Sequence, residues 1–201
     1  MNTAALYKLS YGLVILTARD GDKDNGCIIN TAMQITSSPV RIVIAVNKAN
    51  YTNEMIQKTG AFNVSILTEN APFGLFEHFG FHSGKDVDKF AEYSREARTA
   101  NGVRYFEDHT NGVISATVTA SYDFDTHTLF VADVEEAFLL SDDPAMTYQF
   151  YFDRVKPKLQ PREHRKGFAC SICGYIYEGE TLPEDFTCQL CKHGAEDFKP
   201  L

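Results

Sequence analysis

Four of the five cysteines stand in two Cys-x-x-Cys pairs near the C-terminus, Cys170/Cys173 and Cys188/Cys191, with 14 residues between the pairs. Each pair can close a tight knuckle that aims both sulfurs at one ion. Two facing knuckles make a tetrahedral tetrathiolate site, which suits iron or zinc. Two structural disulfides are the other use of the same residues, but thiols held at metal spacing point to a reducing compartment, the cytoplasm. Gly174 follows the first knuckle, where a residue often takes φ > 0 to turn its amide toward sulfur; Lys192 holds the matching place in the second and does so less cheaply. The aromatic residues Phe168, Tyr175, Tyr177, Phe186 and Phe198 surround the knuckles. A unit spanning residues 168–201 is too small to hold itself by burial alone, so the metal must supply folding energy.

The remaining reactive residues carry weaker signals. No P-loop and no Gly-x-Gly-x-x-Gly is present, which argues against a Rossmann nucleotide site. His78 and His82 have helical metal-ligand spacing, but Gly80 lies between them and no HExxH surrounds them, so a metal is not expected there. Cys27 reads as a small apolar strand residue rather than a nucleophile. His109, His127, His164 and His193 are scattered and read as surface residues.

These residues are positioned by a mostly extended chain. Residues 11–20 are apolar and β-branched and end in a turn at Arg19-Asp20-Gly21-Asp22, and a second extended run covers 26–36, with further turn chemistry at Asp24-Asn25-Gly26 between them. A third strand covers 40–46. The pattern then changes to a short helix over 51–60, with Thr52 as N-cap and Gly60 as stop. Strands follow over 62–67, 113–122 and 128–140, with loops and short helices over 71–98, turns at Asn101-Gly102 and Asn111-Gly112, and a closing helix over 145–152. Mainly antiparallel strands with an inserted helix predict a closed barrel. Domain one is 1–152, the Pro-containing segment 153–167 is a stiff linker, and domain two is 168–201.

The chain has 201 residues and a formal net charge of −8, which argues against nucleic acid as a partner. The charge is uneven: −8 over 1–152, +4 over 153–167 and −4 over 168–201. The basic linker can therefore hold the acidic tail by a salt-sensitive attraction. No apolar run is long enough to span a bilayer, and the Gly12–Leu16 patch reads as a strand rather than a leader.

The run Cys-x-x-Cys-Gly-Tyr-Ile-Tyr-Glu, then Phe186-Thr187-Cys-x-x-Cys, then Asp197-Phe198-Lys199-Pro200 closely resembles rubredoxin, with the short inter-knuckle loop of the rubrerythrin type. The resemblance implies one iron held by Cys170, Cys173, Cys188 and Cys191. Gln189 and Lys192 replace the usual Pro and Gly of the second knuckle. Upstream, Tyr11–Thr17, Asn25–Thr31, Ser37-Ser38-Pro39, Asn47–Thr52, Gly60–Leu67, His82–Phe90 and Met146-Thr147-Tyr148 together resemble the flavin reductase family over about residues 6 to 152. That implies an FMN-binding split β-barrel. Thr52 at a helix start, with Asn47 and Asn50 just before it, would meet the phosphate. Asn30 and Thr31 would run beside the polar edge of the flavin ring, and Ser83, Lys85 and Lys89 would serve the phosphate or a nicotinamide dinucleotide.

The two parts in tandem are similar to the high molecular weight rubredoxins of anaerobic bacteria. The similarity implies NAD(P)H oxidation through FMN to iron, and onward to a flavodiiron protein that reduces O2 or NO. Hydride transfer calls for no side-chain acid or base, so no catalytic residue is expected. Family barrels are homodimers. Two rival designs use the same residues: a reductase that releases reduced flavin and carries a structural zinc tail, and a non-enzymatic binding barrel with a recruiting zinc ribbon.

Overall fold

A computed structural model describes residues 5, 8–93, 97–157, 167–172, 175–188 and 193–201. The first part is a seven-stranded antiparallel sheet built from β1 (Val14–Asp20), β2 (Lys23–Ile29), β3 (Ala32–Ser37), β4 (Val40–Asn47), β5 (Ala61–Leu67), β6 (Thr110–Asp123) and β7 (His127–Leu139), in the order β2-β1-β5-β6-β7-β4-β3. The end strands, β2 and β3, are consecutive in the chain, and only Asn30 and Thr31 separate them. A link that short reaches about 11 Å at most. The two ends of the sheet must therefore lie close together, so the sheet is rolled into a barrel with a seam at Asn30-Thr31, across which β2 and β3 do not pair with each other. Bulges at Ser115/Ala116 and Val118/Ala120 of β6 bend the long β6–β7 ribbon to make this possible.

Alternation fills the barrel with one face of each strand. Leu16, Ile44, Phe62, Val64 and Phe130 are buried there, with Met55 and Ile56 of helix α1 (Tyr51–Thr59) packed against them. Gly60 ends α1 at φ 71, donating its N–H to the Ile56 carbonyl. A second, aromatic layer packs under helix α2 (Phe73–Gly80), where Phe79 meets Phe90 and Phe106 edge-on at 5.5 and 5.3 Å. Helix α3 (Tyr148–Phe150) runs into a π-helical turn, Tyr151–Val155, and closes this layer with the Tyr151 ring tilted against Phe76 at 4.6 Å.

Several local expectations change. The 26–36 run is two strands at opposite ends of the sheet. The β1–β2 turn falls at Gly21 (φ 58) and Asp22, as expected from Arg19-Asp20-Gly21-Asp22, and the further turn expected at Asp24-Asn25-Gly26 does not form. Those three residues are in β2 because tertiary contacts claim them: Asp24 accepts a bidentate pair from Arg98 at 2.6 and 2.8 Å, Asn25 is buried, and a Cβ on Gly26 would lie 3.2 Å from the Phe79 ring. Asn111-Gly112 lies inside β6, with the bend just before it at His109 (φ 57). The N-cap of α1 is Asn50, and Thr52 sits in the first turn.

The C-terminal part is a three-stranded sheet, β8 (Phe168–Cys170), β9 (Ile176–Tyr177) and β10 (Phe198–Pro200), in the order β10-β8-β9. Its core is Phe186 against Tyr177 (4.7 Å) and Phe198 (5.2 Å), together with Cys170 and Cys188. Of the 153–167 stretch, Asp153–Val155 continue the π-helical turn, and 158–166 lie outside the described residues.

Candidate functional site

The barrel opens into a cavity of about 760 Å³. Its floor is Asn25 and Cys27 on β2, and its far wall is the Asn47–Thr52 stretch from the end of β4 into α1. The Phe81–Lys89 loop covers it. A smaller cavity of about 320 Å³ follows the seam along Ile28, Ile29, Asn30, Thr31 and Ala45. The two share Cys27, Asn47, Asn50, Gly80, Phe81 and His193 in their walls.

Strand ends and helix starts concentrate polar groups here, and the amides of Lys48, Ala49, Asn50 and Asn53 donate to turn and loop oxygens. Thr52 is fully buried, and its hydroxyl accepts from Asn25 Nδ2 at 2.9 Å. Asn47 Oδ1 accepts from the Ala49 amide at 2.9 Å, so its side chain shapes the loop that leads to the helix. Asn53 Nδ2 donates to the Val46 carbonyl at 2.9 Å and ties the start of α1 to the end of β4. Ser83 Oγ accepts from the Lys85 amide at 3.2 Å in the covering loop. Thr31 Oγ1 donates to the Ala45 carbonyl at 2.7 Å and pins the seam.

Lys89 is buried, and its ammonium donates to the carbonyls of Gly26 and Phe79, both at 2.8 Å. Burial pulls it down to about 8 from the ordinary lysine range, opposed by the nearby Cys27 sulfur. Burial likewise raises the Cys27 thiol, against the lowering effects of the Thr52 hydroxyl and of Lys89. The pair is therefore a neutral thiol beside an ammonium.

Of the eight residues expected around a cofactor, seven line these cavities: Asn30 and Thr31 the smaller, Thr52, Ser83 and Lys89 the larger, Asn47 and Asn50 both. Lys85 lines neither. Its ammonium pairs with Glu54 on the outer face of α1 and lies 5.4 Å from the Tyr51 ring. Sequence reasoning missed Asn25, whose Oδ1 is buried with no hydrogen-bond partner. A Cβ on Gly84 would fall inside the Asn25 amide, so the covering loop approaches β2 there as only glycine allows. A polar cavity between a helix start and a glycine-bearing loop, lined by Asn25, Asn47, Asn50, Thr52 and Ser83, fits a polyhydroxylated phosphate ligand such as FMN. His127 and His193 are exposed, as expected of surface residues, yet they also border the cavities. His127 lines the smaller cavity and His193 lines both; His164 lies outside the described residues. His78 is engaged through Nε2 with the Lys89 carbonyl at 2.7 Å.

In the tail, Cys170 and Cys188 are both fully buried in one small core, and Cys173 and Cys191 lie outside the described residues. The Cys170 amide donates to the Tyr175 carbonyl and the Cys188 amide to the His193 carbonyl, each at 2.8 Å. Gly174 follows the first knuckle and Lys192 the second, and both of those residues lie outside the described set. Two cysteines of opposite knuckles in one core, with a second thiol three residues on in each, fit a single tetrathiolate-bound iron.

The rolled sheet and its seam cavity define a class that the family comparison makes explicit. Residues 6–158 match the flavin reductase like domain, and residues 168–199 match the rubrerythrin, rubredoxin-like domain. The chain belongs to the flavin reductase-like family and carries a C-terminal rubredoxin-like domain. It is similar over its whole length to the high molecular weight rubredoxin of Moorella thermoacetica, at 36% identity over 230 residues, covering 100% of both chains. It is also 39% identical over 160 residues to a ferric-chelate reductase (NAD(P)H) of Archaeoglobus fulgidus, covering 79% of this chain and 93% of that one. Among solved structures, an NADH:FAD oxidoreductase of Streptomyces globisporus shares the fold with a TM-score of 0.63 at 19% identity, covering 71% of this chain and 84% of that chain.

Proposed function

We propose that the chain is an oxidoreductase that draws electrons from NADH or NADPH through FMN in the barrel to one iron held by Cys170, Cys173, Cys188 and Cys191. A redox partner, such as a flavodiiron protein reducing O2 or NO, takes them onward. One observation carries this reading: Ile172 of the first knuckle and His193 beside the second are walls of the barrel's own seam cavity. The metal-bearing tips of the tail thus face the place where a flavin would sit.

The chain's residues divide the work. The amides at the start of α1, with Thr52, Asn50 and Asn47, meet the phosphate. Asn25 holds the Thr52 hydroxyl in place, and Ser83 and Lys89 would bound the phosphate end from above. Asn30 and Thr31 present the open seam to the polar edge of the ring. FMN, when bound, takes a hydride as two electrons and hands them on singly. No side chain need move a proton.

In this reading 1–152 is the flavin domain, 153–167 the linker and 168–201 the iron domain, working in the cytoplasm. A homodimer also fits. All six residues of β3 are exposed at an open sheet edge beside the seam, with Met33, Ile35 and Val40 presenting apolar side chains that a second copy would cover.

Absorption spectra of the purified protein before and after NADH or NADPH test the proposal. Flavin and ferric tetrathiolate bands that both bleach are expected. Flavin lost on gel filtration with a colourless, zinc-loaded tail would identify a reductase that releases its flavin instead.

A further inference from the structure

Lys156 ends the π-helical turn Tyr151–Val155, and its own amide donates to the Tyr151 carbonyl at 2.7 Å. The side chain therefore leaves from a fixed point on the aromatic wall of the seam cavity. Its ammonium lies 4.6 Å from the Phe152 ring centroid and donates to the carbonyl of Ser171. Ser171 stands in the first knuckle, directly before Ile172. The Ser171 amide in turn donates to the Asp197 carbonyl at 2.7 Å, so the peptide that Lys156 grips is itself anchored within the tail. Phe152, Tyr151 and Ile172 all line the same cavity. One cation thus joins the barrel's aromatic wall to the knuckle that faces the flavin site. A π-helical turn is an uncommon way to end a helix, and it sets the direction in which Lys156 leaves.

We propose that Lys156 is a positioning residue that latches the first cysteine knuckle over the seam cavity and sets the iron centre within reach of the flavin site. The proposal rests on the electron-transfer reading above. Charge-assisted donation to a carbonyl is strong for a single contact. The linker keeps the tail at high effective concentration, so one such contact is enough to bias open against seated. The transfer served is balanced: one hydride yields two electrons and one proton, and each electron reduces one ferric ion to ferrous. The iron must be re-oxidised by the partner between the two. A latch made of one lysine can release as well as hold, which exposes the knuckle to that partner.

The test uses full-length protein loaded with flavin and iron, as wild type, Lys156→Met and Lys156→Arg. Iron absorbance in each confirms that the tail is folded. Small-angle scattering reads domain separation, and stopped-flow reads flavin reduction and iron reduction separately. Lys156→Met is expected to increase the radius of gyration and slow iron reduction about tenfold, the loss of one charge-assisted hydrogen bond. Flavin reduction should keep its rate, and Lys156→Arg should behave like wild type. Unchanged scattering in Lys156→Met overturns the latch, and an opened molecule with an unchanged iron-reduction rate overturns the positioning role. An opened Lys156→Met together with no iron reduction in the wild type upholds the latch and sinks the electron-transfer reading instead.

Discussion

Asn25 and Lys89 show how much of this site is decided by single buried polar groups. Asn25 has its Nδ2 committed to Thr52 and its Oδ1 buried beneath Gly84. Gly84→Ala should push that amide aside, weakening FMN binding about tenfold with little effect on the melting temperature of the flavin-free protein. Flavin fluorescence titration and thermal unfolding check the two halves, and an unchanged FMN affinity would remove Asn25 from the site. Lys89 makes a prediction with two opposite signs. Its folded-state value, about 8, is below the ordinary lysine value. Between the two the unfolded chain binds more protons, so the cost of burying the charge is relieved and stability contributed by this group rises as pH climbs through that window. Over the same window the ammonium beside the cavity is lost, so affinity for the FMN phosphate should fall. Burial moves the Cys27 thiol the other way, upward. Titrations at about pH 7 and about pH 9.5 should show weaker FMN binding in the second, and Lys89→Met should abolish the difference.

At the scale of elements, the phosphate end of the site depends on α1 being fixed to β4. Asn53 does this with both ends of its amide: Nδ2 donates to the Val46 carbonyl and Oδ1 accepts from Gln57 Nε2 at 2.8 Å. It is buried, so Asn53→Ala should cost about 1–3 kcal/mol of stability. FMN affinity should drop with it, since the first turn of α1 then has no tether to the strand. Urea unfolding of the flavin-free protein, read beside the FMN titration, separates these effects. A stability loss with full affinity would mean the helix start keeps its place without the Asn53 tether.

The whole molecule joins two units held together by different means. The barrel buries two extensive apolar layers, and the tail has a few aromatic rings around cysteines. Removing iron should therefore unfold 168–201 and leave the barrel standing. Limited proteolysis of the iron-free protein should trim it to a stable fragment ending near residue 157, and a fragment pattern identical with and without iron would contradict the dependence. The charge layout adds a long-range attraction between the basic linker and acidic tail, so high salt should slow iron reduction more than flavin reduction.

The sequence by itself determined the features that depend on local chemistry: four thiols at metal spacing, the helix stopped by Gly60, the alternating strands and the change of character after residue 152. These were legible because spacing and periodicity are properties of neighbours along the chain. Only the tertiary structure decided where the polar groups meet. Asn25 looked like part of a turn because Asp-Asn-Gly commonly turns, yet contacts with Arg98, Phe79 and Thr52 draw it into a strand and under the cavity. Lys85 and Lys89 sit four residues apart in one loop, but one faces solvent and Glu54 while the other is buried against two carbonyls. His193 and Ile172 acquire their place only through the packing of the tail on the barrel. That contact spans the linker and leaves no trace in local pattern.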